Sequence, residues 1–172
     1  MEAVLAHPFS LISGGGLFLI CVGLGFLLGW FFSRNWIALA ITGFVAGFMA
    51  SALSPLLQPS LGRPTWVQIA ALVIAIVVEM FLIWYVVTRY GNGGERALIL
   101  SILLVVGLHF IIMGLAHGPL MTFLGIITVI NALIGLRIAK SVSITVFGII
   151  DSILKISFGL WMLVLYPTFT FW

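Results

Sequence analysis

The segment SITVFGIIDSILKISFGLWMLVL, residues 143–165, decides which fold this chain adopts. A helix of 23 residues is long enough to cross a bilayer, and most of these side chains are apolar. Its ionisable residues, Asp151 and Lys155, each cost about 2.5–3.5 kcal/mol near the centre of a membrane helix. Because they are four residues apart, they share one helical face and can pair. The segment predicts a membrane helix with a polar side toward protein and an apolar side toward lipid.

The composition of the whole chain points the same way. Of its 172 residues, 63% are hydrophobic and 6% are charged, against roughly 25% charged in a soluble globular protein. The seven Lys and Arg residues are spread along the chain, so we expect no nucleic-acid partner. Cys21 has no second cysteine, which excludes disulfide, CxxC and zinc-finger chemistry. Motifs of the GxSxG, HExxH and P-loop types are absent, so we predict neither an enzyme nor a bound cofactor.

Short polar or turn-forming breaks divide the chain into six apolar segments. They cover about residues 11–32, 36–57, 66–88, 97–118, 119–138 and 143–165. The sequence predicts an all-α fold, a six-transmembrane-helix bundle that forms one membrane domain over residues 1–172.

Positive charges predict the orientation of the bundle. Arg63 is the one cation in the connections expected on the outer side. The cations in or beside the first, third and fifth connections are Arg34, Arg89, Arg96, Arg137 and Lys140. We therefore expect these three connections in the cytoplasm and both termini outside.

Proline and glycine spacing raises two further possibilities. Pro8, Pro64 and Pro119 open alternate spans about 55 residues apart, as three repeated helical hairpins would require. Proline also suits the first turn of any helix, so the sequence leaves the repeat open. The pairs Gly25–Gly29, Gly43–Gly47 and Gly114–Gly118 are small-xxx-small faces, which favour close helix packing within the chain or in a homo- or hetero-oligomer.

A rise of 1.5 Å per residue places five polar residues within about 5 Å of the bilayer midplane. They are Glu79, His109, Asn131, Asp151 and Lys155. Gln68 shares a helical face with Glu79 and extends the polar stripe toward the outer mouth. We interpret these residues as one central polar layer.

The layer supports two interpretations. In the functional one, Glu79 or Asp151 binds and releases a proton or cation, His109 relays protons, and Lys155 is a counter-charge. In the structural one, Lys155 neutralises Asp151, and Glu79 is protonated or bonded to Asn131, which joins helices. The first predicts transport or permeation of a small solute or ion, linked to protons and with Glu79 as the titrating group. The second predicts a non-catalytic membrane subunit that binds an immunity, sensory or assembly partner.

Histidines raise the question of a metal. His7 and His117 are both expected at the outer surface, but the one carboxylate near them is Glu2. We therefore predict no metal site.

One stretch of about thirty residues carries a resemblance. It consists of His109-Phe110-x-x-Met113, then Gly118-Pro119-Leu120, then Asn131-Ala132-Leu133-Ile134-Gly135. It resembles a family of small bacterial multi-span membrane proteins of unknown function. The resemblance implies a bacterial cytoplasmic-membrane protein and singles out His109 and the turn at residues 117–119. It implies no activity.

Overall fold

Six long helices make up the computed structural model, which describes residues 8–57, 62–91 and 94–165. They are α1 (Ile12–Phe31), α2 (Trp36–Leu57), α3 (Trp66–Tyr90), α4 (Glu95–His117), α5 (Pro119–Leu133) and α6 (Ile144–Leu165). All six are long and apolar enough to cross a membrane, when α5 is taken with the π-helical turn Ile134–Ile138 that extends it. The predicted all-α six-helix bundle is confirmed, and the chain is a multi-pass membrane protein.

Helix ends fall within about two residues of the predicted segments, with one difference in kind. The end of α5 widens into the π-helical turn, in which the Ala139 N–H bonds to the Ile134 carbonyl at 2.8 Å. The guanidinium of Arg96, at the start of α4, donates to the carbonyls of Gly135, Ala139 and Val142 at 2.5–2.8 Å. A wider turn directs carbonyls away from the helix axis, so Arg96 caps α5 from its neighbour.

The helices pack side by side in an open arc. Along the arc the order is α3, α4, α5, α6, α1, α2, and α4 also touches α6 and α1 across the inside. Although α2 and α3 follow each other in the chain, they lie at the two ends of the arc, without extensive packing between their described residues. The three-hairpin repeat stays a prediction. Two of the three expected hairpins pair closely packed helices, but α5 packs more closely on α4 than on α6.

Because successive helices are antiparallel, the bundle has two ends. We call the end where α1 begins and α6 ends the terminal face. The opposite end, which holds the α1–α2, α3–α4 and α5–α6 connections, is called the loop face. Apolar side chains cover the outside of the helices, as contact with lipid requires.

Pairs of glycines mark the closest helix contacts. A Cβ at Gly25 of α1 would lie 2.8 Å from the Gly43 Cα of α2, and one at Gly159 of α6 would lie 2.7 Å from the Gly16 carbonyl of α1. Gly125 of α5 meets α4 in the same way. The small-xxx-small faces of α1 and α2 are therefore occupied within the chain, and so is the Gly114 position of α4, which abuts Thr122.

Candidate functional site

An ion pair buried in α6 forms one side of the site. Lys155 donates from Nζ to Asp151 Oδ2, and both side chains are only 2% exposed. The Lys155 ammonium also lies 5.9 Å from the ring centroid of Phe26 on α1 and 5.5 Å from that of Phe110 on α4. The second carboxylate oxygen, Asp151 Oδ1, is buried and has no hydrogen-bond partner among the described residues. The lysine is thus held by three helices, while half of its partner carboxylate remains able to accept a donor.

A second polar pair joins α3 to α4. His109 Nδ1 lies 3.0 Å from the Ala75 carbonyl and 3.3 Å from Glu79 Oε2. Because a carbonyl only accepts, this geometry assigns the proton to Nδ1 and leaves Nε2 to accept or receive another. His109 is buried, whereas the Glu79 side chain retains 17% exposure. Of the pair, the carboxylate is the more accessible member.

Both pairs line one cavity of about 840 Å³ inside the arc. Its walls come from α1, α2, α3, α4 and α6. At the terminal face they include Ser10, Ser54 and Arg63, and at the loop face Trp36 and Ile99. The cavity therefore extends along most of the bundle, and the two charged pairs lie partway along it.

The structure brings together four of the six residues proposed for the polar layer. Glu79, His109, Asp151 and Lys155 all line the cavity. In contrast to the hypothesis that Glu79 bonds to Asn131, the neighbour of Glu79 is His109.

Two residues of the proposed layer do not line the cavity. Asn131 is buried between α5 and α6, where its side-chain amide donates to the Phe147 carbonyl at 3.0 Å. Gln68 caps the start of α3: its side-chain oxygen accepts from the Thr65 N–H at 2.9 Å, and its amide donates to the Pro8 carbonyl at 2.7 Å. Asn131 thus joins two helices, and Gln68 ties the start of α3 to the chain before α1.

His117 differs from its expected position at the surface. It is 4% exposed, lines the cavity near the terminal face, and has Nδ1 3.4 Å from the Met113 carbonyl. Met113 follows His109 by four residues, and His117 follows Met113 by four, so the three share one face of α4. This spacing in the sequence indicates that His117 lies on the cavity side of the helix. His7 lies outside the described residues. Within those residues no cluster of three metal-ligating side chains is present.

Aromatic side chains form a wall that the sequence-based interpretation did not identify. On α1 the cavity is lined at every fourth residue by Phe18, Val22, Phe26 and Trp30. Four-residue spacing keeps side chains on one helical face, so this pattern was visible in the sequence. The sequence does not show that this stripe lines a cavity, because an aromatic stripe in a membrane helix can equally face lipid or a neighbouring helix.

A family model matches residues 6–170, which is nearly the whole chain. The chain belongs to DUF6609, a family of unknown function. Neither a curated protein nor a solved structure matches it. The function of this DUF6609 member is therefore inferred from the site itself.

The charges of the site do not cancel when His109 is neutral. Asp151 and Lys155 compensate each other, and Glu79 then leaves one net negative charge. An uncompensated charge at membrane depth is costly, so a proton or another cation at this carboxylate is favoured. Chemically, the arrangement suits reversible binding of one positive charge inside a cavity that extends toward both faces.

Proposed function

We propose that this protein is a non-enzymatic membrane transporter that moves a small solute or ion through the central cavity, coupled to protonation of Glu79. The observation that carries the proposal is the cavity of about 840 Å³ that reaches Glu79, His109 and the Asp151–Lys155 pair. A dry, filled polar layer would favour a purely structural role. A cavity lined by ionisable groups at membrane depth favours passage of a solute.

The coupling follows from where Glu79 lies. α3 packs chiefly on α4, and near the middle of the bundle His109 of α4 forms a polar link to α3 through the Ala75 carbonyl and the Glu79 carboxylate. A proton on Glu79 removes its negative charge and weakens that link. Since α3 is one end of the open arc, a weaker link lets it shift relative to α4 and change which end of the cavity is open.

Orientation in the membrane belongs to the same proposal. The positive-inside distribution favours the loop face in the cytoplasm and the terminal face outside. A Cys21→Ala background carrying either Arg63→Cys or Lys140→Cys tests this, since both positions are exposed. We expect a membrane-impermeant maleimide to label residue 63 on intact cells and residue 140 only after permeabilisation. The reverse pattern would invert the topology.

Flux through proteoliposomes tests the proposed function. Stopped-flow light scattering reports entry of neutral solutes, and an enclosed pH dye with an imposed membrane potential reports ions and protons. We expect a flux above that of empty liposomes, lowered about tenfold or more by Glu79→Gln, as for removal of a group needed in the rate-limiting step. Glu95→Gln is the matched control, because Glu95 is exposed and does not line the cavity.

A second variant distinguishes titration of Glu79 from titration of its neighbour His109. His109→Asn keeps an amide donor near the position of Nδ1 but cannot take up a proton. We expect the folded protein and the pH dependence of its flux to persist, because Glu79 still titrates; loss of that dependence would assign the titration to His109. Equal flux in wild type and Glu79→Gln would refute the coupling to Glu79, and no flux for any solute or ion offered would refute transport.

A further inference from the structure

A group of three aromatic rings from α1 and α2 lines the cavity near the middle of the bundle. Phe18, Phe44 and Phe48 pack edge to face or tilted, with centroids 5.2 Å apart for Phe18 and Phe48 and 5.4 Å for Phe18 and Phe44. The faces of such rings carry negative potential and attract cations. In the described part of the chain, Lys155 lies over Phe26 and Phe110, whereas no side-chain cation lies over this group of three.

The charges around Glu79 also favour a positively charged occupant of the cavity. The groups that face Glu79 are His109 from α4 and Lys155 from α6, and Lys155 is compensated by Asp151 on its own helix. With His109 neutral these groups hold one net negative charge, and the other cation that lines the cavity, Arg63, lies apart from them at the terminal face. An anion would add to this negative charge, and a neutral molecule would leave it uncompensated at membrane depth. A positively charged occupant, or a proton, neutralises it.

The route into the cavity is apolar and lies at the open ends of the arc. Phe44 and Phe48 from α2 line the cavity, as do Leu72 and Ile76 from α3. These two helices do not pack extensively on each other, and Phe48 is 57% exposed although it belongs to the cavity wall. A molecule dissolved in the bilayer can therefore reach the rings without crossing a polar surface.

We infer that the substrates are lipophilic organic cations, which enter from the bilayer between α2 and α3 and compete with a proton for the charge of Glu79. This inference rests on the proposed transport function and specifies its substrate class. The aromatic group binds the apolar body of the substrate, and the carboxylate compensates its positive centre. Because one negative charge serves both occupants, binding of the cation releases the proton, and the exchange is reciprocal.

Two ions of the same shape and opposite charge provide the test. Tetraphenylphosphonium and tetraphenylborate are both apolar, so they differ in the sign of their charge rather than in size. Binding of radiolabelled tetraphenylphosphonium to purified, immobilised wild-type protein should be saturable, with tetraphenylborate competing about tenfold or more weakly. Since tetraphenylphosphonium does not titrate, any pH dependence belongs to the protein. As the pH is lowered and the proton occupies the site, the affinity of the protein for tetraphenylphosphonium should fall by up to about tenfold for each pH unit.

Variants locate the binding. Glu79→Gln should weaken tetraphenylphosphonium binding about tenfold or more and abolish its pH dependence. Phe44→Leu should weaken binding, whereas Phe123→Leu should not, because Phe123 is exposed on α5 and lies outside the cavity wall. Size-exclusion profiles confirm that the variants fold. If Glu79→Gln does not fold, the comparison of the two ions and the pH dependence still decide the matter on wild-type protein.

The outcomes distinguish a failure of the cation substrate class from a failure of the proposed transport function. Equal binding of both ions, no saturable binding, or pH-independent binding overturns the cation class. Glu79-dependent solute flux without tetraphenylphosphonium binding also overturns the class and leaves transport standing. Saturable, Glu79-dependent cation binding with no flux of any solute supports the class and overturns transport.

Discussion

Replacing Lys155 by methionine tests the energetic role of the buried ion pair. Lys155 and Asp151 are each 2% exposed, and Asp151 Oδ1 already has no partner in the described part of the chain. Methionine keeps most of the apolar stem of the lysine and loses the ammonium, which lies over the rings of Phe26 and Phe110. The substitution therefore removes the charge and the hydrogen bond to Asp151 Oδ2 with little change in packing volume.

The magnitude follows from what Asp151 loses. Removing one member of a buried ion pair costs about 3–5 kcal/mol, because the other charge is left without a partner. In Lys155→Met, Asp151 Oδ2 loses its donor and Oδ1 already has none among the described residues, so we expect a loss within that range. Lys140→Met is the control, since Lys140 is exposed, and should lie within about 0.5 kcal/mol of wild type.

Reversible unfolding in mixed micelles, at increasing mole fractions of sodium dodecyl sulfate, measures these free energies. A double variant, Asp151→Leu with Lys155→Met, should recover to within about 1 kcal/mol of wild type, because an apolar pair of similar volume often replaces a buried ion pair without loss. If Lys155→Met were as stable as wild type, or if the double variant were as unstable as the single one, compensation of Asp151 by Lys155 would not be the stabilising interaction.

Two further substitutions test how the helices are held. Gly125→Leu should lower the free energy of unfolding by about 1–3 kcal/mol, because it forces α4 and α5 apart. Even a Cβ at Gly125 would lie 2.6 Å from the Gly107 carbonyl. The same micelle titration measures this change, and an unchanged midpoint would contradict the close contact. Arg96→Met should speed hydrogen exchange at the end of α5, residues 134–142, because three carbonyls lose their donor, whereas Arg34→Met, at an exposed position of the α1–α2 connection, should leave this exchange unchanged.

The sequence by itself determined the number of helices and the depth of the polar groups. Apolar runs of about 20 residues have one stable arrangement in lipid, a helix whose backbone hydrogen bonds are all internal. Depth follows from the constant rise per residue, so Glu79, His109, Asp151 and Lys155 were expected at one level before their neighbours were known. The i, i+4 spacing of Asp151 and Lys155 likewise predicted their pairing.

Only the tertiary structure decided which way each side chain faces and which helices are neighbours. Asn131 shares the depth of the layer, but its helix turns it toward the Phe147 carbonyl rather than the cavity. Gln68 serves as a helix cap, and Glu79 meets His109 instead of Asn131. Depth depends on one helix alone, whereas facing depends on the rotation and order of all six. The arc that leaves α2 and α3 apart, and therefore the cavity, arises from packing between helices that no single apolar run encodes.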